Sequence, residues 1–85
     1  AQGDLGATRQ ALEQAVRIFE RRTPNSPNHA AALLELGYVH FREGDLSGAW
    51  KMLADGVTML EKESSRTPTF ASGLVRIANV EIERG

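Results

Sequence analysis

The chain has 85 residues, which is enough for one small domain and leaves no room for a second core. Its 10 Lys and Arg residues nearly balance 11 Asp and Glu residues, and this net charge of −1 argues against the clustered cationic surface of a nucleic-acid-binding protein. The chain has no cysteine, which excludes disulfides and thiolate zinc sites, and no apolar run approaches the ~18 residues of a membrane span.

The first predicted helix covers residues 4–22. Its apolar residues recur at spacings of three, four and seven, which places them on one stripe of an α-helix. Asp4 is the predicted N-cap, because its carboxylate can accept N–H groups that the first helical turn leaves unpaired. The helix is expected to end near Pro24, since proline disfavours helical geometry in the residue before it.

Three more amphipathic helices are predicted after the first. Gly44 suits the left-handed position that follows a helix end, and Asp45 is the predicted N-cap of the next helix. No segment alternates apolar and polar residues for long enough to predict a strand, so the predicted fold class is all-α, with four antiparallel helices. The predicted helix ranges are 28–43, 45–63 and 69–84, with loops over 25–28 and 64–68.

The sequence repeats at an interval of 41 residues. Identical residues align at this interval without any insertion, and the loops, prolines and apolar positions stay in register together. We interpret the chain as a helical repeat in which each unit contributes a helix pair. The identical pairs include Gly3 and Gly44, Asp4 and Asp45, Leu5 and Leu46, Leu12 and Leu53, Val16 and Val57, Pro27 and Pro68, Leu33 and Leu74, and Gly44 and Gly85.

The second and third predicted helices and the turn between them carry Leu36-Gly37, Gly44-Asp45-Leu46, Ala49, Leu53 and Gly56. This pattern resembles the helix-turn-helix signature of the tetratricopeptide repeat family. The interval of 41 residues, in place of the usual ~34, is similar to that of the long-helix variant in kinesin light chains and bacterial signalling proteins. Leu33, His40 and Glu61 stand where the family usually has Trp, Tyr and Pro.

The resemblance implies an α-α superhelix, a solenoid segment whose helices follow in the order B, A, B, A. Gly37 and Ala78 are then expected to let the two helices of one repeat approach closely. Ala15 and Gly56 are expected to do so between a B helix and the following A helix. Because one full repeat is flanked by a single helix on each side, we expect a segment of a longer array. Head-to-tail or helix-swapped association of copies is a further expectation, and a compact monomer is the alternative.

The resemblance also implies a partner-binding surface on the concave side, which the A helices line. Apolar and aromatic side chains there favour an apolar or amphipathic partner segment, whereas Glu35 and Glu83 oppose a clamp for a terminal carboxylate. The alternative is that Tyr38 and Phe41 only cover the helix pair or pack on further repeats. The predicted binding residues are Leu34, Glu35, Tyr38, Phe41, Arg42, Val75, Arg76, Asn79 and Glu83.

The sequence contains no recognisable catalytic, metal-binding or cofactor-binding motif. His40 falls on an apolar face, and we interpret it as a hydrogen-bonded core residue. We therefore expect a non-enzymatic protein-interaction scaffold that binds a protein or peptide, with no cofactor, nucleic acid or membrane, in the cytoplasm. The alternative function is a structural or oligomerising arm of a larger signalling or transcription-regulator protein, which stacks head-to-tail and has no ligand of its own.

Overall fold

The computed structural model describes residues 4–62 and 67–85, and these residues form four α-helices. The prediction of an all-α fold is confirmed, and the predicted helix bounds within the described residues lie within one residue of those in the structure. The predicted helix end at residue 63, most of the predicted loop 64–68 and Gly3 lie outside the described residues. The helices are α1 (Leu5–Arg22), α2 (Pro27–Arg42), α3 (Leu46–Lys62) and α4 (Pro68–Arg84).

Each helix begins at a short polar side chain that accepts a hydrogen bond from the backbone N–H three residues later. This bond satisfies one of the donors that the first helical turn leaves unpaired. The caps fall into two pairs of residues 41 positions apart, one pair of aspartates and one of hydroxyl residues. The bond lengths are 3.1 Å for Asp4, 3.0 Å for Asp45, 3.1 Å for Ser26 and 3.3 Å for Thr67.

The helices pack in chain order, with α2 in a central place. α2 lies against both α1 and α3, α4 packs on α3, and a shorter contact joins α2 to α4. This order of packing is compatible with a helical repeat. One buried cluster joins α2, α3 and α4, and it comprises Ala30, Leu34, Ala49, Leu53, Val57, Leu60 and Val80. A second cluster joins α1 to α2, and it comprises Val16, Ala32, Leu33 and Leu36.

The helices α2 and α3 approach most closely at two glycines. A Cβ atom added at Gly37 would lie 2.8 Å from the Cγ of Leu53 and 3.2 Å from the carbonyl oxygen of Ala49. A Cβ atom added at Gly56 would lie 3.0 Å from the carbonyl oxygen of Ala30. Both alanines are fully buried, at 0% exposure. The two helices therefore pack at this distance because neither glycine has a side chain.

One expectation about small residues is wrong. Gly56 was expected to face the following A helix, but the atoms nearest to it belong to α2. Ala78 is exposed on α4, and its contact with the B helix of its own repeat stays a prediction. The close contact between α3 and α4 is made at Gly73 instead, where an added Cβ atom would lie 2.8 Å from the Cγ2 of Val57. The interval of 41 residues shows which positions correspond to each other, but it does not show which neighbouring helix each position contacts.

We predict that Gly37→Leu lowers the free energy of unfolding by about 1–3 kcal/mol, because the new side chain overpacks a filled interface. Urea unfolding followed by far-UV circular dichroism measures this change. Gly6→Ala is the matched control, since an added Cβ atom there meets only the Oδ1 of Asp4, at an ordinary 3.6 Å. The control should keep wild-type stability or gain up to about 1 kcal/mol in helix propensity. A Gly37→Leu variant as stable as the wild type would contradict the close packing of α2 and α3.

Candidate functional site

A groove of about 480 Å³ lies along α2 and is bordered by α1 and α4. We call it the α2 groove. The contribution of α1 is mostly apolar, and that of α4 comprises two hydroxyl groups and one guanidinium. The lining residues are Leu5, Thr8 and Leu12 from α1, Ala31, Leu34, Glu35, Tyr38, Val39 and Arg42 from α2, and Thr69, Ser72 and Arg76 from α4.

Two arginine side chains lie against the aromatic ring of Tyr38. The Cζ atom of Arg76 is 3.9 Å from the ring centroid, and that of Arg42 is 5.9 Å from it. Both distances fall within the ~6 Å over which a cation is attracted to an aromatic face. The ring is 36% exposed, so it holds the two cations while remaining accessible to solvent. The contact of Arg76 with Tyr38 also joins α4 to α2.

The α2 groove carries an excess of positive charge. Its charged side chains are one carboxylate, from Glu35, and two guanidinium groups, from Arg42 and Arg76. Neither of these arginines forms an ion pair with a carboxylate within residues 4–62 and 67–85. The ion pairs there are Arg9 with Glu43, His40 with Asp45, Lys51 with Asp55, and Arg84 with Glu81. A carboxylate entering the groove would therefore find two cations that no described carboxylate pairs with.

Five of the nine predicted binding residues line the α2 groove: Leu34, Glu35, Tyr38, Arg42 and Arg76. Leu34 is only 4% exposed, because its side chain packs against the backbone of α3 and α4 at two glycines. It therefore contributes mainly to the core and only slightly to the groove surface.

The other four predicted binding residues lie outside the groove. Val75 and Asn79 border a hollow of about 350 Å³ on α4, which shares Arg76 with the groove. Phe41 packs against the buried cluster of α2, α3 and α4, and Glu83 is exposed near the end of α4. The alternative interpretation, in which an aromatic residue covers the helix pair, therefore describes Phe41 but not the accessible ring of Tyr38.

The α1 side of the groove was not predicted from the sequence. Leu5, Thr8 and Leu12 line it, whereas the sequence pattern assigns the apolar residues of this helix to the core alone. A signal was present at Thr8, since the residue 41 positions later is the fully buried Ala49. A hydroxyl where the matching residue is a buried alanine indicates that this part of α1 faces a different environment.

His40 and Asp45 connect the end of α2 to the start of α3. The Nδ1 of His40 lies 3.0 Å from the Oδ2 of Asp45, while the Oδ1 of Asp45 accepts a hydrogen bond from the N–H of Gly48 at 3.0 Å. The bond from Gly48 and then the bond from His40 hold the pKa of the Asp45 carboxyl below its usual value. The chain reverses between the two residues at Gly44, whose φ of +88° is left-handed. The imidazole is hydrogen-bonded, as interpreted from the sequence.

A second histidine has a structural role that the sequence pattern did not reveal. His29 is 4% exposed at the start of α2, and its Nδ1 accepts a hydrogen bond from the N–H of Asn25 at 3.0 Å. An Nδ1 that accepts this bond leaves the ring proton on Nε2. The bond holds the loop before α2, where Asn25 takes a left-handed φ of 61°.

Two kinds of feature are missing from the part of the chain that the structure describes. A lipid bilayer could not be crossed by any described helix, since none combines the required length with sufficient apolar character. No group of three or more His, Asp or Glu side chains is placed to hold a metal ion within the described ranges.

We predict that acid destabilises the wild type more than the Asp45→Asn variant. The pKa of Asp45 is lower in the folded chain than in the unfolded one, so its carboxylate stabilises the fold above the unfolded pKa. This contribution is lost as the pH falls through the folded pKa, below about pH 4. Asparagine keeps a capping oxygen but gains no proton. Urea unfolding from about pH 6 to about pH 2 measures the effect. Parallel pH profiles for the two proteins would contradict it.

No protein family, curated protein or solved structure that was compared with the chain matches it. The resemblance to the tetratricopeptide repeat therefore rests on the motifs in the sequence. What the structure establishes is the all-helical fold and the geometry of the α2 groove.

Proposed function

We propose that the chain is a protein-interaction module of the tetratricopeptide-repeat type, which binds a peptide segment of a partner protein in the α2 groove. The observation that carries the proposal is the stack of Arg76 on Tyr38, with its centroid distance of 3.9 Å, inside an open groove of about 480 Å³. Tyrosine and arginine are the residue types that most often dominate binding energy at protein interfaces.

The arrangement of helix ends supports the repeat part of the proposal. Residues 41 positions apart cap successive pairs of helices with the same type of bond, as Ser26 and Thr67 do. Each of these two caps is followed by a proline at the first helical position, Pro27 or Pro68. The same local structure thus recurs at the interval at which the sequence recurs, as a repeat unit requires.

The lining of the groove indicates the chemistry of the partner segment. Leu5 and Leu12 offer apolar contacts, so the segment should carry apolar side chains on one face. Arg42 and Arg76 outnumber the single carboxylate of Glu35, so the segment should also carry at least one Asp or Glu. We propose an amphipathic acidic segment, bound without catalysis and without a cofactor.

The composition of bound peptides tests this proposal. Peptides selected from a random display library on the immobilised protein should be enriched in Leu, Ile or Phe together with Asp or Glu. Tyr38→Ala and Arg76→Ala should each weaken binding of a selected peptide at least about tenfold, because both remove an interface anchor. Asn79→Ala, at the edge of the neighbouring hollow, should weaken it less. Isothermal titration calorimetry measures the affinities.

The matched control for these variants is a second arginine–aromatic pair outside the groove. The Cζ of Arg84 lies 5.6 Å from the ring centroid of Trp50, so Arg84→Ala removes a similar contact between α4 and another helix. This variant should bind the peptide as the wild type does, and circular dichroism should show all variants to be folded. Equal losses for Arg84→Ala and Arg76→Ala, or selected peptides without acidic residues, would contradict the proposal.

The alternative function, an oligomerising arm of a larger protein, is favoured by a different observation. Apolar side chains on the side of α4 away from α3 are exposed, among them Ile82 at 74%. This observation does not involve Tyr38 or Arg76, and it leads to a separate inference about self-association.

A further inference from the structure

The outer face of α4 carries apolar side chains that nothing in the described part of the chain covers. Leu74 is 47% exposed and Ile82 is 74% exposed, and the exposed Ala78 lies between them. Residues spaced four apart lie on one face of a helix. We call these three residues the α4 stripe.

The residues 41 positions before the α4 stripe are Leu33, Gly37 and Phe41 of α2. In α2, two residues of this face pack on α3: Phe41 lies against the cluster that α3 shares, and Gly37 closely approaches the Cγ of Leu53. Leu33 belongs to the cluster that joins α1 to α2, against which Met52 and Met59 of α3 also pack. The α4 stripe therefore corresponds, at the interval of 41 residues, to a face of α2 that packs on α3.

The helix whose sequence matches α3 is α1. Leu5, Leu12 and Val16 of α1 are identical to the residues 41 positions later in α3. In α3, Ala49 and Leu53 lie close to Gly37 of α2. In α1 the matching Thr8 and Leu12 line the open groove instead, together with Leu5. Each molecule thus exposes both halves of a contact that it already makes once, between α2 and α3.

We propose that the α4 stripe of one copy binds α1 of a second copy, in the geometry of α2 on α3. The surfaces on the two copies differ, so the contact is heterologous, and each copy keeps one free surface of each kind. The chain therefore assembles head-to-tail into linear oligomers that lengthen with concentration. The assembly does not require a bound partner peptide.

Three matching positions carry different residues, and these differences should make the contact between copies weaker than the contact of α2 with α3 within the chain. Ala78 and Ala15 replace the two glycines that let α2 and α3 approach closely, so the helices must lie farther apart. Glu81 stands at the position of His40 and would face Asp4, the counterpart of Asp45. Two carboxylates would then meet where α2 and α3 have a histidine–aspartate bond of 3.0 Å.

Sedimentation velocity over a wide concentration range tests the proposal. The weight-average mass of the wild type should rise with concentration, whereas Ile82→Asp and Thr8→Arg should each remain monomeric, since each blocks one of the two surfaces. Both residues are exposed, so circular dichroism should show that the variants are folded. Thr58→Asp, at an exposed position of α3 outside both surfaces, is the control and should assemble as the wild type does.

Mixing the two monomeric variants separates a head-to-tail contact from other kinds of association. The Thr8→Arg variant keeps an intact α4 stripe and the Ile82→Asp variant keeps an intact α1 surface, so an equimolar mixture should form dimers and nothing larger. A symmetric contact would give no dimers on mixing. A mixture that stays monomeric, or a wild type that is monomeric at all concentrations, would overturn the proposal.

A gain of affinity gives an independent readout. Glu81→His places a histidine opposite Asp4 of the next copy, as His40 lies opposite Asp45 within the chain. It should lower the concentration at half-assembly severalfold at neutral pH, while the loss of the surface pair with Arg84 should matter little. An unchanged or raised concentration at half-assembly would show that α4 and α1 do not meet in this geometry.

Discussion

The close contact of α2 with α3 is the constraint on which the rest of the structure depends. Gly37 and Gly56 lie opposite the buried Ala49 and Ala30, so the two backbones approach without side chains between them. This contact places Leu34 where it can fill the space beside α3 and α4 at once. The side of α2 that neither α1 nor α3 covers becomes the floor of the groove. A wider spacing would open the core and the groove together.

Local features of the fold were predictable from the sequence, because they depend on residues a few positions apart. Asp4 and Asp45 indicate helix starts, because their carboxylates can cap the first helical turn. Pro24 indicates a helix end, because its ring disfavours helical geometry in the residue before it. The partners of small residues were not predictable in the same way. A glycine in mid-helix indicates that something approaches closely, but its sequence neighbours do not say whether the approaching helix is the previous one or the next, as Gly56 demonstrates.

The candidate site was predicted only in part, because some of its contacts join residues that are distant in the sequence. Positions on α2 and α4 were implied by the family resemblance, and Tyr38 and Arg76 do line one groove. Their stacking is a tertiary contact between two helices, which periodicity within one helix cannot reveal. The contribution of α1 was missed, because an apolar stripe looks the same in sequence whether another helix covers it or solvent does. Only Thr8 differed from its buried counterpart in a way that pointed to exposure.

The apolar α1 side of the groove has a consequence for how the two proposed interactions relate. Leu5, Thr8 and Leu12 would contact a peptide in the groove, and they would also contact α4 of a second copy. Two ligands that need the same surface exclude each other by mass action, so each lowers the apparent affinity of the other. At low protein concentration the groove would then be free to bind a peptide, whereas at high concentration α4 of a second copy would cover its α1 side. A second copy of the chain would therefore compete with the peptide, and the competition would grow with protein concentration.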